Sequence, residues 1–307
     1  MKYAIVGTGG VGGYFGAMLA KSGLEVCFVA RGEHFEKMST TGLTLRSVSG
    51  DFHLTNVNVV DCPSKLPPVD VVLLCTKTYD LISVSRKLVN TLGSDTIVVT
   101  TQNGIDNDSV VRQELPEAKV IPGLSYIISA KVGPGMIAQT AGPCTIIFGE
   151  PAKPANEKLK RIESDMKRAG IRATASDDIV KELWTKLLWI SVFAGMTSVC
   201  RCSIGEIAND EDSYQILTEL LDEGIAVAKL QGFELEDKRR EKILEKVRDY
   251  RHTGSSAKSS MLIDLEQGRA TEVEAICGAI IRAADGHDIS IPLSRLVYSA
   301  VKHAAAQ

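Results

Sequence analysis

The sequence predicts an α/β N-terminal half built on a doubly wound parallel sheet, followed by an all-helical C-terminal domain. Three observations carry that expectation. Short apolar runs alternate with helical patterns through the first half, a glycine-rich loop joins the first run to the first helix, and beyond "EPAKPANEKLK" helices follow almost without interruption. Continuous Val, Ile and Leu runs mark strands buried on both faces, as in a parallel sheet covered by helices. The boundary is expected near residue 172, which divides the chain into 1–172 and 173–307.

In chain order, "YAIVG" is the first strand and residues 11–22 the first helix, ending near Gly23. "EVCFVA" is the second strand. Further runs stand at "LTNVNVV", "VDVVLLCT", "TIVVTTQNG" and "AKVIPGLSYIISA", with a helix near 80–92. In "SAKVGPGMIAQTAGPCTIIFGE" glycines and prolines bracket two short strands, which predicts antiparallel pieces closing the first domain. Helices are then expected near 156–169, 178–199, 211–231, 235–250, 258–267, 271–285 and 291–304. Gly170, Gly232, Gly268 and Gly286 each follow a periodic run, where a helix stop belongs.

Composition narrows the function. Hydrophobic residues are 44% and charged residues 24%, enough for a proper core, and the net charge of −3 gives no basic bias toward nucleic acid. No apolar run reaches membrane-spanning length, and the start at "MKYAIVGTGG" lacks a secretory signal, so a cytoplasmic protein is expected. Seven scattered cysteines do not suggest a disulfide framework. Cys200-Arg201-Cys202 lacks the spacing and histidines of a zinc site, so no metal is expected. The expected partner is a small molecule, with a homodimer left open.

"IVGTGGVGGYFG" contains Gly7-x-Gly9-x-x-Gly12 between a strand and a helix, the context that makes this motif informative. Gly7 permits the tight turn, Gly9 the approach of a pyrophosphate, and Gly12 the helix–strand contact, with the phosphates on the helix dipole near Val11. Thr8 and Gly10 complete the expected cofactor loop of a Rossmann-type domain. After the second strand, where NAD sites usually carry an acid, "VCFVARGEH" has Arg31. A guanidinium suits a 2′-phosphate, so NADP(H) is the expected cofactor.

"WTKLLWISVFAGM" holds Lys186 within an apolar helical pattern. An isolated lysine there usually snorkels to solvent, and only the rest of the chain can argue otherwise. That context comes from a set of motifs: "GTGGVGG", "VARGEHFEKM", "LLCTKTYD", "TTQNGIDN", "WTKLL", the serines and Asp264 of "SSMLID", and "ATEVEAICG". Together they resemble the ketopantoate reductase (2-dehydropantoate 2-reductase) family over essentially the whole chain. The resemblance implies hydride transfer from NADPH to the keto carbon of a branched 2-oxo acid, on the route to pantothenate. It implies that Lys186 donates the proton and that Glu272 binds the substrate hydroxyl and organises the site. Ser260 is implied to bind the carboxylate, Asn103 to lie beside nicotinamide and substrate, and Lys77 to lie near the cofactor and reaction centre. Asn103 and Lys77 also follow apolar runs, at strand carboxyl ends where parallel sheets bind ligands. The plainer alternatives are a turn for Asn103-Gly104 and helix-start roles for Ser260 and Glu272.

The chain departs from the family pattern in places. Ile190 and Ala194 stand where asparagines usually face the substrate, Ala257 replaces a small polar residue, and Cys277 replaces an asparagine. These changes predict a less polar 2-oxo acid or ketone. Two alternatives stay open: a hydroxyacid dehydrogenase of the 6-phosphogluconate dehydrogenase-like group, and a non-catalytic NADP(H)-binding regulator.

Overall fold

In the computed structural model, which describes residues 1–306, the chain divides into two units. The first comprises Met1–Gln102 and Asp106–Ile179; the second takes Asn103–Ile105 and the chain from Val180 onward. The first unit runs β1 (Lys2–Val6), α1 (Gly10–Lys21), β2 (Glu25–Val29), α2 (Gly32–Thr41), β3 (Leu43–Ser47), β4 (Phe52–Leu54), β5 (Asn58–Val60), β6 (Val71–Leu74), α3 (Leu81–Leu88), β7 (Ile97–Thr100), α4 (Asn107–Glu114), β8 (Lys119–Ile121), β9 (Gly123–Gly133), β10 (Met136–Phe148), α5 (Glu157–Arg168) and β11 (Arg172–Ala175).

The apolar runs form a parallel sheet in the order β5-β2-β1-β6-β7-β8. Its central strands are covered on both faces: Tyr3, Ala4 and Ile5 of β1 and all of Val71–Leu74 in β6 have no exposed surface. The chain leaves β1 toward β2 and returns to β6 on the other side of β1. The switch in strand direction of travel therefore lies at β1, whose carboxyl end carries the glycine loop.

Three local readings need correction. The run "LTNVNVV" is not one strand: Leu54 ends β4, while Asn58–Val60 forms β5 in the other sheet. The antiparallel pieces are long, not short, since β9 and β10 pair from Gly133↔Met136 to Gly123↔Phe148. The Gly and Pro of "TAGPC" do not end β10. They fall at register shifts, where Gly142 (φ 89°) and Cys144 (φ 52°) take left-handed conformations and absorb the irregularity. Helix α2 escapes a periodicity search because only His34 and Met38 of its ten residues are buried.

The second unit runs α6 (Ile179–Cys200), α7 (Ile204–Asn209), α8 (Glu211–Leu230), α9 (Asp237–Thr253), α10 (Ser260–Glu266), α11 (Val273–Ala284) and α12 (Pro292–Ala304). By length and composition α6 could cross a membrane, contrary to the sequence expectation, yet 67% of the apolar window is buried inside the protein. Its neighbours come close. A Cβ added at Gly224 would lie 2.9 Å from Leu188, and one at Gly195 would lie 2.8 Å from Val297. Trp184 stacks on Phe233 with ring centroids 6.4 Å apart. Helix α6 is a core helix, with Leu187, Leu188, Val192 and Met196 in the apolar cluster.

Candidate active site

Each glycine of the loop after β1 has its own cause. Gly7 has φ 97°, and a Cβ there would lie 2.7 Å from the Thr76 nitrogen. A Cβ on Gly10 would collide with the Ser129 carbonyl, and one on Gly12 with the Gly7 carbonyl. Gly9 is different: its φ of −88° suits any residue and nothing lies within 4 Å of the Cβ position. Neither packing nor backbone requires glycine at position 9, so the open space above it is left for a ligand. Helix α1 begins there with no acid in its first turn and no side-chain cap, the arrangement that receives a phosphate on free N–H groups. Two buried side-chain oxygens without a partner among the described residues, Thr76 Oγ1 and Ser129 Oγ, belong to residues flanking this loop. A pyrophosphate fits this cradle.

Thr8 and Val11 serve the protein itself. Thr8 Oγ1 donates to the Val29 carbonyl at 2.9 Å, pinning the loop to β2, and Val11 packs on the sheet core. His34, which no sequence pattern singles out, completes the anchor. Its Nδ1 accepts from the Gly135 N–H at 2.9 Å, so its Nε2 carries the proton and donates to the Thr8 carbonyl at 2.8 Å. Burial lowers its proton affinity and favours that neutral form.

Arg31 stands two residues after the end of β2 and is exposed, with its guanidinium 3.3 Å from the Asp80 carboxylate. Lys77 is half-buried in the turn after β6, where its carbonyl accepts from the Asp80 N–H at 3.0 Å. Beyond β7 the Gln102 amide donates to the Leu74 carbonyl at 2.8 Å and ties the two strand ends together. Gly104, with φ 106°, then turns the chain. The glycine makes the turn, and the Asn103 side chain is directed elsewhere, its Nδ2 lying 3.5 Å from Glu272 Oε2.

Within the second unit Asn103 thus reaches Glu272, and Glu272 acts electrostatically on Lys186. Lys186 is 7% exposed and Glu272 6%. Burial pushes the Lys186 ammonium down to about 8, while the Glu272 carboxylate pulls the other way. Lys186 does not snorkel. Glu272 occupies the position before α11 but makes no capping bond. At α10 the cap is Ser259, whose Oγ accepts from the Leu262 N–H at 3.1 Å and from Thr197 Oγ1 at 2.8 Å. Ser260 is left exposed in the first turn, with no capping task. Both residues thus stand at helix starts, but neither side chain is the helix cap.

Ile190 is half-buried one turn beyond Lys186, whereas Ala194 is only 4% exposed and belongs to the apolar cluster. Ala257 is half-buried, and burial pushes the Cys277 thiol up to about 12. The glycine loop, Arg31 and Lys77 lie in the first unit, and the lysine–glutamate group in the second.

Comparison with known proteins finds a match to Ketopantoate reductase PanE/ApbA over residues 3–153 and to its C-terminal counterpart over residues 178–305. The 2-dehydropantoate 2-reductase of Nostoc sp. (strain PCC 7120) is 31% identical over 305 residues, spanning 98% of this chain and 94% of that protein. The crystal structure of 2-dehydropantoate 2-reductase from Geobacter metallireducens GS-15 has a TM-score of 0.91 at 28% identity, covering 99% of this chain and 100% of that one. A ternary structure of D-mandelate dehydrogenase with NADH and anilino(oxo)acetate has a TM-score of 0.89 at 21% identity, covering 100% and 99%, a likeness of fold.

Proposed function

The chain belongs to the ketopantoate reductase family of oxidoreductases, and from that premise we propose that it reduces a 2-oxo acid to the 2-hydroxy acid, with hydride from NADPH and a proton from Lys186. The observation that carries this reading is a buried lysine on an apolar helix, under the influence of a buried carboxylate. Hydride addition to a ketone builds negative charge on oxygen, and a nearby donor stabilises it. A lysine with a proton affinity near 8 gives up its proton far more readily near neutrality than an ordinary one. Glu272 keeps part of the Lys186 population protonated and ready to donate. Asn103 holds the Glu272 carboxylate and presents its remaining hydrogen-bonding capacity to the substrate. The exposed Ser260 hydroxyl takes the substrate carboxylate. The nicotinamide supplies the hydride when bound; the glycine loop holds its pyrophosphate, Lys77 lies at its reacting end and Arg31 takes the 2′-phosphate.

The test is NADPH consumption with ketopantoate and a panel of 2-oxo acids. Turnover of any member supports the reductase. Binding of NADPH with no turnover across the panel supports a regulator instead, for which a buried lysine–glutamate pair has no use. The cofactor assignment has its own test. Arg31→Ala is expected to weaken NADPH binding by roughly one to two powers of ten, the scale of a charge-assisted contact worth roughly 1.5–3 kcal/mol. NADH binding should stay nearly unchanged. Equal losses for both cofactors, measured by calorimetry, would remove Arg31 from the 2′ position.

A further inference from the structure

The end of β2 lacks the acid that takes the ribose hydroxyls in an NAD-type site; Arg31 stands there instead. A carboxylate reaches the same place from elsewhere in the chain. Asp80, in the turn after β6 and 49 residues away in sequence, lies 3.3 Å from the Arg31 guanidinium. The two side chains are 69% and 32% exposed, so a ligand can reach both. Asp80 stands at the start of α3 but makes no side-chain capping bond, so its carboxylate has no duty to the helix.

We infer that Asp80 is a specificity-determining residue for the cofactor. Its carboxylate accepts from a ribose 2′-hydroxyl, as NADH offers, and opposes a 2′-phosphate, as NADPH offers. The inference rests on the reading that Arg31 faces the 2′ position. An exposed ion pair is weak, so Arg31 leaves Asp80 easily when a phosphate arrives. The Asp80 charge remains beside a group that carries nearly two negative charges near neutrality. Arg31 and Asp80 thus form a two-sided ribose site, one side for each form of the cofactor. Both act on binding, and neither takes part in the hydride step.

The experiment is calorimetric binding of NADPH and NADH to the ligand-free protein, at low salt and at 1 M salt. Asp80→Asn keeps the shape and removes the charge. It is expected to raise the ratio Kd(NADH)/Kd(NADPH) about tenfold at low salt, tightening NADPH and weakening NADH, and by much less where screening acts within about 3 Å. Arg31→Ala, which tests the underlying reading, is expected to lower the same ratio. A ratio unchanged by Asp80→Asn at low salt overturns the Asp80 assignment, whatever Arg31→Ala does. A ratio raised by Asp80→Asn but unmoved by Arg31→Ala upholds Asp80 and overturns the Arg31 reading alone.

Discussion

Lys186→Ala is expected to leave NADPH binding intact and to cut kcat for 2-oxo acid reduction by roughly a hundredfold or more, the usual scale for loss of a general acid. The pH profile gives the same residue a second signature. The reductive direction needs Lys186 protonated, so kcat should fall as pH rises through about 8, the value to which burial brings this ammonium. Glu272 opposes that shift by favouring the charged lysine. Removing its charge in Glu272→Gln should therefore move the alkaline limb to lower pH. A merely structural lysine would give an active Lys186→Ala enzyme and a limb that ignores Glu272→Gln. The expected result for stability has the opposite sense to activity. Lys186 binds its proton more weakly in the folded protein than in the unfolded chain, so its charging penalty is full below about 8 and is relieved as pH rises from there toward 10.5.

Ketopantoate itself is expected to be a poor substrate. Ile190 offers no hydrogen bond one turn from Lys186, and a substrate hydroxyl left unpaired there costs roughly 1–3 kcal/mol. Ala194 offers none either, and it is buried in the apolar cluster. A branched 2-oxo acid of the same size without the terminal hydroxyl should have a kcat/KM higher by up to about two powers of ten if both positions contribute. Ile190→Asn should raise ketopantoate turnover specifically, by roughly tenfold. The Ala194 position is less suited to the same change, since an amide there would enter the core. Efficient ketopantoate reduction by the unmodified protein, measured side by side with the hydroxyl-free acid, would show that the hydroxyl finds its partner elsewhere.

The sheet was legible because burial on both faces leaves strands such as "VVLL" with no polar residue to confuse the pattern. The glycine loop was legible for the opposite reason, since strand, loop and helix follow one another directly in sequence. What escaped was whatever depends on distant partners. Helix α2 presents a mostly solvated surface, and β4 and β5 interrupt one apolar run because they belong to different sheets. His34 reveals itself only through Thr8 and Gly135, a hundred residues apart from one another or more, and Asp80 only through Arg31. The lysine helix shows the limit from the other side. Its own pattern leaves Lys186 a snorkelling role, and only motifs elsewhere in the chain point to the buried one it has.

The segment Asn103–Ile105, counted with the helical unit although the sheet surrounds it in sequence, imposes an order in time. Asn103 waits for Glu272, 169 residues further on. At roughly 5–20 residues per second, a ribosome takes on the order of ten to thirty seconds to make that stretch. The glycine loop and Arg31 have both been synthesised before then, whereas the carboxylate that acts on Lys186 arrives only after that stretch is made. A nascent chain would thus acquire the parts of its cofactor cradle well before it could acquire a working proton donor.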